Sequence, residues 1–465
     1  QISAVSVMAD GRLIAGSSKG LSIFEPWGWR NIIETSTDNI LIHDSFNPSY
    51  FSADTIPIDF GGYISDIEQG PNGKIFCAIR GTYPEPRRHG GGVVIIDVNN
   101  PGDFTLIDTT YLDYFLNEYM VVKDLSFDQS GNLWVADAYA TTRLTPIHKI
   151  NPQGEWTSLS YDDSGYNFSL TPNTIEIDVW GRIWIGFFTG SENTVNGFSY
   201  PNGGLMMLTV NESTGSIIVN DISLSSIYTN HSIWSLGVVK IRLFALSPNG
   251  MTYFDLQNSN NNPVQRQGPL GLDGTPFTYF PQISFDGPDP GAKLKVDPEN
   301  NIWVGSSNQG VYVLLDNTLY WPNADGIREA NTHLLSDNIS DIAFDEKLGI
   351  AYIASNRGIN SLKIPFSKQK KDYSKLKVFP SPYLIPSAKP MVIAGTVQAS
   401  SLLVTTITGH VIFSIRHEDM GIHGDQITWD GRDNFGELVG SGVYLLSIYN
   451  QDGLFAVEKI TVIRK

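Results

Sequence analysis

Among 465 residues there is one cysteine, Cys77, so the chain forms no intrachain disulfide. It sits in the apolar run Ile75-Phe76-Cys77-Ala78-Ile79 and reads as a buried structural thiol, which leaves the compartment open. Basic charge is scarce as well: 31 Lys and Arg stand against 48 Asp and Glu, a formal net charge of −17. The deficit is uneven, with 19 basic and 39 acidic residues before Lys363 and 12 and 9 from there onward. So acidic a body repels nucleic acid and anionic membrane, and no extended basic patch offsets it, so no nucleic-acid partner is expected. Long apolar runs are missing, which excludes a transmembrane helix, and Gln1 to Asp10 lack the basic and apolar regions of a signal peptide. The sequence starts without Met and directly inside a strand-like pattern, so a processed or truncated N-terminus is expected. Sustained helical periodicity is absent too.

What is abundant is turn chemistry, with 44 Gly and 25 Pro, beside 41% hydrophobic residues, enough for a sizeable core. A strand, a turn, an aromatic-centred strand, a second turn and a third strand recur along the chain. The clearest copies span residues 128–136, 178–186 and 297–305; weaker ones span 9–15, 71–77, 240–245 and 345–354. Aligned on the turn they place Gly11, Gly73, Gly131, Gly181, Ile241, Asn300 and Gly349 in register, 49 to 62 residues apart, which suits a four-stranded unit with loop insertions. Three residues past each anchor stand Ile14, Phe76, Trp134, Trp184, Phe244, Trp303 and Tyr352. One large residue per unit in one register reads as a structural layer between neighbouring units rather than as a ligand cage. Asp-Gly, Asn-Gly and Ser-Gly turns between alternating runs are hairpin signals, and a second Gly opens the third strand of most copies. The fold class expected is therefore all-β: a seven-bladed β-propeller over residues 1–362. The seventh copy is short of an outer strand, which either an upstream segment or the run Leu376-Lys377-Val378 would supply.

A polar stretch of five lysines over 363–375 reads as a basic linker. From 376 to 465 short alternating runs follow at regular spacing, the pattern of a β-sandwich.

Within that tail, Val378-Phe-Pro-Ser-Pro382, Thr406-Ile-Thr-Gly409, Trp429-Asp-Gly-Arg-Asp-Asn-Phe-Gly436 and Ser441-Gly-Val-Tyr444 resemble the immunoglobulin-like C-terminal domain related to flagellar-hook capping proteins, used as a sorting tail by the type IX secretion system. The residues carrying the resemblance are Pro380, Pro382, Trp429, Asp430, Gly431, Gly436, Gly442 and Tyr444, and the closing Arg464 and Lys465 fit it. In the repeats, the phrases at residues 335–345 and 302–310 resemble the two-component-regulator type of propeller. The combination is similar to the PorZ family of type IX surface proteins, whose members carry two propellers and such a tail. The resemblance implies an extracytoplasmic protein, at the outer-membrane surface or secreted from a Gram-negative bacterium, with type IX components as partners of its C-terminal domain.

Chemistry leaves fewer marks. The eight histidines show no metal-ligand spacing, and Asp430, Asp433, Asn434 and Glu437 lack the order of a calcium loop, so no metal or cofactor is expected. No nucleophile elbow, P-loop or dinucleotide fingerprint occurs in a strand-to-helix context. The most concentrated basic group before the linker, Arg87-Arg88-His89, is the one candidate ligand-binding site, for a phosphate or carboxylate of a glycan. The expected function is a non-catalytic surface binding or scaffold protein recognising lipopolysaccharide, another glycan or a protein. The alternatives are an exported polysaccharide lyase or hydrolase, whose carboxylates need follow no sequence spacing, and a sensor module of a two-component system.

Overall fold

The structure is a computed structural model describing residues 1–34, 51–82, 89–116, 118–160, 169–189, 194–195, 198–211, 216–222, 232–248, 250–256, 263–266, 292–314, 326–364, 372–374, 376–387, 390–397, 400–416, 426–450 and 453–465. These residues form strands and no helix. They divide into two compact units: Gln1–Val296 with Asn300–Phe344 and Tyr352–Ser361, and Leu362–Lys465 with Asp297–Glu299 and Asp345–Ala351.

The recurring turns show why the repeat folds as it does. In the third repeat Gly131 N–H closes the turn on the Asp128 carbonyl at 2.9 Å, with Gly131 at φ +79°, a conformation that side chains resist. One Asp128 carboxylate oxygen accepts from Ser130 and Asn132 N–H at 3.0 and 2.9 Å. The other accepts from Trp134 Nε1 at 2.9 Å, so the turn residue also satisfies the buried indole six positions later. Asp178 does the same for Trp184 at 2.9 Å. In the sixth repeat Asn300 takes the left-handed place at φ +67°, which Asn tolerates better than most residues. In the fifth, the left-handed residue is Lys240, at φ +55°, one position before the aligned Ile241, because only two residues separate Ser235–Val239 from Arg242–Ser247.

Among the described residues seven antiparallel repeats follow, each starting on an inner strand: Ala4–Val7, Tyr63–Gln69, Val121–Phe127, Pro172–Ile177, Ser235–Val239, Lys293–Val296 and Ile339–Asp345. The first repeat has five strands, the fifth of which, Phe51–Ile56, lies parallel to Gly28–Glu34. The second and third share one sheet through Val121 and Arg80, the fourth and fifth have four strands each, and the sixth and seventh three.

Apolar clusters form between successive repeats. Ile14 packs with Ile64 and Ile67 of the second repeat. Phe76 packs with Val122 and Leu125 of the third, and Trp134 with Ile175 and Ile183 of the fourth. Trp184 meets Leu236 and Leu243 of the fifth, Phe244 meets Leu294 and Ile302 of the sixth, and the Trp303 ring lies 5.4 Å from Phe344 of the seventh. Tyr352 packs with Val5 and Leu13 of the first repeat, so the series returns to its start. Close approach demands glycine at places: a Cβ on Gly186 would stand 2.5 Å from Ile233, and one on Gly305 2.7 Å from Ile339. Cys77 is buried and free, and burial pushes its thiol pKa up.

The second unit holds two sheets. One is Lys377–Phe379, Met391–Ala394 and Gln426–Trp429; the other orders Tyr383–Ile385, Phe455–Arg464, Gly442–Tyr449, Ser401–Thr406 and Val411–Ile415. Lys377–Phe379 pairs with Met391–Ala394 within this unit, so the outer-strand role considered for Leu376-Lys377-Val378 is not the one it takes. A single core fills the space between the sheets, with Trp429 packed among Tyr383, Ile393, Leu446 and Ile460.

Candidate functional site

Of the basic group singled out by sequence, Arg87 and Arg88 lie outside the described residues. His89 is exposed, pairs with Thr82 in an isolated antiparallel bridge and holds Nε2 3.5 Å from Asp59 Oδ2.

The cavity that the fold builds is elsewhere. About 410 Å³ of space is lined by the beginnings of all seven inner strands, from Ser3, Ser65, Lys123, Asn173, Trp234 and Lys293 to Ser340. A central channel of this kind is where radially arranged sheets leave room. Its wall is drawn together by a recurring latch, in which one inner-strand side chain accepts from a backbone N–H of the next repeat. Asp66 accepts from Leu125 at 3.1 Å, Asp124 from Ile175 at 2.6 Å, Thr174 from Leu236 at 3.4 Å and Ser235 from Leu294 at 3.0 Å. Asp341 accepts from Val5 at 3.0 Å and thereby ties the seventh repeat to the first. At the two remaining junctions the position holds Ala4 and Lys293, neither of which can accept. Bulges between Ile64 and Asp66, Val122 and Asp124, and Pro172 and Thr174 accompany the latch in three repeats, and the residues they insert, Ser65, Lys123 and Asn173, line the channel.

Two residues beyond the latch lie Glu68, Glu176 and Lys295, also on the channel wall. Lys295 Nζ is 3.7 Å from Asp341 Oδ1, and Lys293 Nζ is 3.6 Å from Asp341 Oδ2 and donates to the Ser65 carbonyl at 3.1 Å. Asp341 lifts the Lys295 pKa and keeps that amine charged. Recession into the channel, reinforced by Asp66, pushes Glu68 up to about 8, and recession pushes Glu176 up to about 7. Asp124 is also held above the carboxylate range by burial and by Asp66. Both glutamates remain partly exposed to the channel, so it is the low-dielectric channel wall rather than a dry core that raises them. Near neutrality the layer can thus donate or accept protons and hydrogen bonds. Sequence reasoning passed over these residues although a signal was present: Ser-Asp-Ile recurs at residues 65–67 and 340–342, in the strand just ahead of the glycine turn.

In the second unit Pro380 and Pro382 are exposed between two strands. Trp429 is buried and donates through Nε1 to the Arg432 carbonyl at 2.8 Å, while Asp430 accepts from Arg432 N–H at 3.1 Å. Gly431 and Gly436 have φ of +81° and +83°, and Gly442 opens the strand in which Tyr444 donates its hydroxyl to the Gly440 carbonyl at 2.9 Å. Asp433 and Asn434 accept from backbone N–H groups, which makes that segment a hydrogen-bonded turn.

A scan against family models finds no match, and a search of curated proteins finds none either. Solved structures do match. The chain is similar over 99% of its length to PorZ, an essential bacterial surface component of the type-IX secretion system of Porphyromonas gingivalis, at TM-score 0.62 and 18% identity, covering 59% of that chain. It is similar over 100% of its length to the extracellular domain of a hybrid two-component system of B. thetaiotaomicron, at TM-score 0.50 and 12% identity, covering 55% of that chain. This chain therefore spans under two thirds of each. In fold, it is an all-β protein of the propeller type found in PorZ and in the extracellular domains of two-component systems.

Proposed function

We propose that this protein is a non-catalytic, extracytoplasmic binding module of a type IX secretion surface assembly, with the channel of the first unit as its recognition site and the second unit as its immunoglobulin-like sorting domain. The observation that carries the reading is the similarity to PorZ, which extends over 99% of the chain and so takes in both units. The tail motif around Trp429 points to the same compartment independently. The ligand class is a glycan such as lipopolysaccharide or a protein partner, and the partners of the second unit are the secretion components. The test is to delete residues 376–465 in the native host and locate both the product and other tail-bearing cargo. Trapping of all such cargo supports a component of the machinery; failure of this protein alone makes it a passenger; a cytoplasmic location of the full-length protein overturns the reading.

One observation favours a second reading, an exported polysaccharide-active enzyme. Two channel glutamates with pKa values near neutrality are what a general acid requires. Cleavage of any member of a glycan panel, lost in Glu68→Gln or Glu176→Gln, would establish it over the non-catalytic reading.

A further inference from the structure

Two residues beyond the latch, the second, fourth and sixth repeats carry Glu68, Glu176 and Lys295, whereas the other four carry only Ser, Gly or Ala. The remaining charged groups around this layer have partners. Asp66 and Asp124 accept N–H groups of the next repeat, Asp341 holds Lys293 and Lys295, and Lys123 lies 5.5 Å from the centre of the Phe188 ring. Among the described residues neither Glu68 nor Glu176 is in a contact ion pair: the Lys295 amine acts on both from longer range but lies against Asp341, and Glu176 accepts a single hydrogen bond, from Ile177 N–H. A recessed carboxylate without a counter-ion in contact is unfavourable, so it either keeps a proton or takes a cation from outside.

The cavity indicates which cation. Its 410 Å³ suits a small organic molecule rather than a bare ion, and no three His, Cys, Asp or Glu side chains among the described residues are arranged to hold a metal. Lys295 on the same layer would repel a second positive charge, which disfavours polyamines. Ser126, Asn173 and Ser235 on the wall offer hydrogen bonds to a neutral, hydroxylated body. From this we infer that the channel receives a ligand bearing one primary ammonium group, which docks between Glu68 and Glu176. This rests on the channel being the recognition site and not on the secretion assignment. The ammonium keeps its protons; the carboxylic acids release theirs to solvent, so binding tightens as pH rises through neutrality. The ammonium can belong to an amino sugar or to a lysine side chain of a partner protein.

Titration calorimetry on the full chain at about pH 7, in phosphate and in HEPES, neither of which carries a primary ammonium, tests this with glucosamine, N-acetylglucosamine and a peptide bearing one lysine. Glucosamine or the peptide should bind, with an enthalpy that differs between buffers in proportion to the protons released. N-acetylglucosamine, in which an uncharged acetamide replaces the ammonium, should bind at least roughly tenfold more weakly. Glu68→Gln/Glu176→Gln should lose binding at least roughly tenfold while its melting temperature does not fall, because glutamine removes an uncompensated charge. Tighter glucosamine marks an amino sugar as the source, and tighter peptide a protein. Equal binding of glucosamine and its N-acetyl form, with loss in the double variant, overturns the ammonium inference and leaves the channel as the site. Binding untouched by the double variant overturns both, as does no binding of any probe together with no effect of the double variant on glycan capture.

Discussion

In the first unit the apolar core is parcelled out among junctions, Trp134 against the fourth repeat, Trp184 against the fifth, Phe244 against the sixth, while in the second it is gathered into one cluster around Trp429. The first arrangement repeats a local solution, since turn aspartates such as Asp128 and Asp178 hold the indole that the next repeat covers. In the second, two sheets share one core, with Trp429 among its largest buried side chains. Damage should therefore stay local in the first unit and become global in the second.

The largest expected effects probe that contrast. Trp429→Ala should cost about 3–5 kcal/mol and remove one whole denaturation transition. Trp184→Ala should cost a similar ~3–5 kcal/mol, yet hydrogen exchange should rise chiefly in the fourth and fifth repeats. Uniform acceleration across all repeats would break the comparison. A smaller effect belongs to the latches. Asp341→Ala removes an acceptor for Val5 N–H that also holds two lysines, and should cost about 1.5–3 kcal/mol and expose the Val5 amide to exchange. Thr174→Ala, losing a neutral contact of 3.4 Å, should cost about 0.5–1.5 kcal/mol. If both cost the same, closure of the ring depends no more on its charged junction than on the others.

Last come the effects of pH, which carry opposite signs. Glu68 and Glu176 have folded pKa values of about 8 and 7, raised from their unfolded value, so their contribution is fully present below about 4.5 and lost as pH rises through 7 and 8. Burial lowers His148 to about 3, so its contribution is present above about 6.5 and lost as pH falls toward 3. Melting temperature against pH should fall on both limbs, and Glu68→Gln/Glu176→Gln should flatten only the alkaline one.

The repeat itself was legible in the sequence because Asp, Gly and the aromatic act within one hairpin, a few residues apart, so their spacing survives any loop insertion. Where the local chemistry varied, alignment slipped, as at Ile241, where the left-handed residue is Lys240. The channel layer was legible only in hindsight. Glu68, Glu176 and Lys295 are far apart in sequence, and a charged residue on an alternating strand usually faces bulk solvent. The basic trio Arg87, Arg88 and His89 drew attention by being contiguous, but of the three the structure describes only His89, exposed beside Asp59.

By itself the sequence determined the all-β class, the order of the repeats and the turn that follows the inner strand of each, since these follow from contacts within a dozen residues. Only the tertiary structure decided that inner strands from all seven repeats line one cavity, that Asp341 joins the last repeat to the first, and that Lys295 lies against Asp341 while Glu68 and Glu176 have no counter-ion in contact. The reason is physical: each of these depends on charges brought together by closure of the ring, and no local spacing encodes that distance.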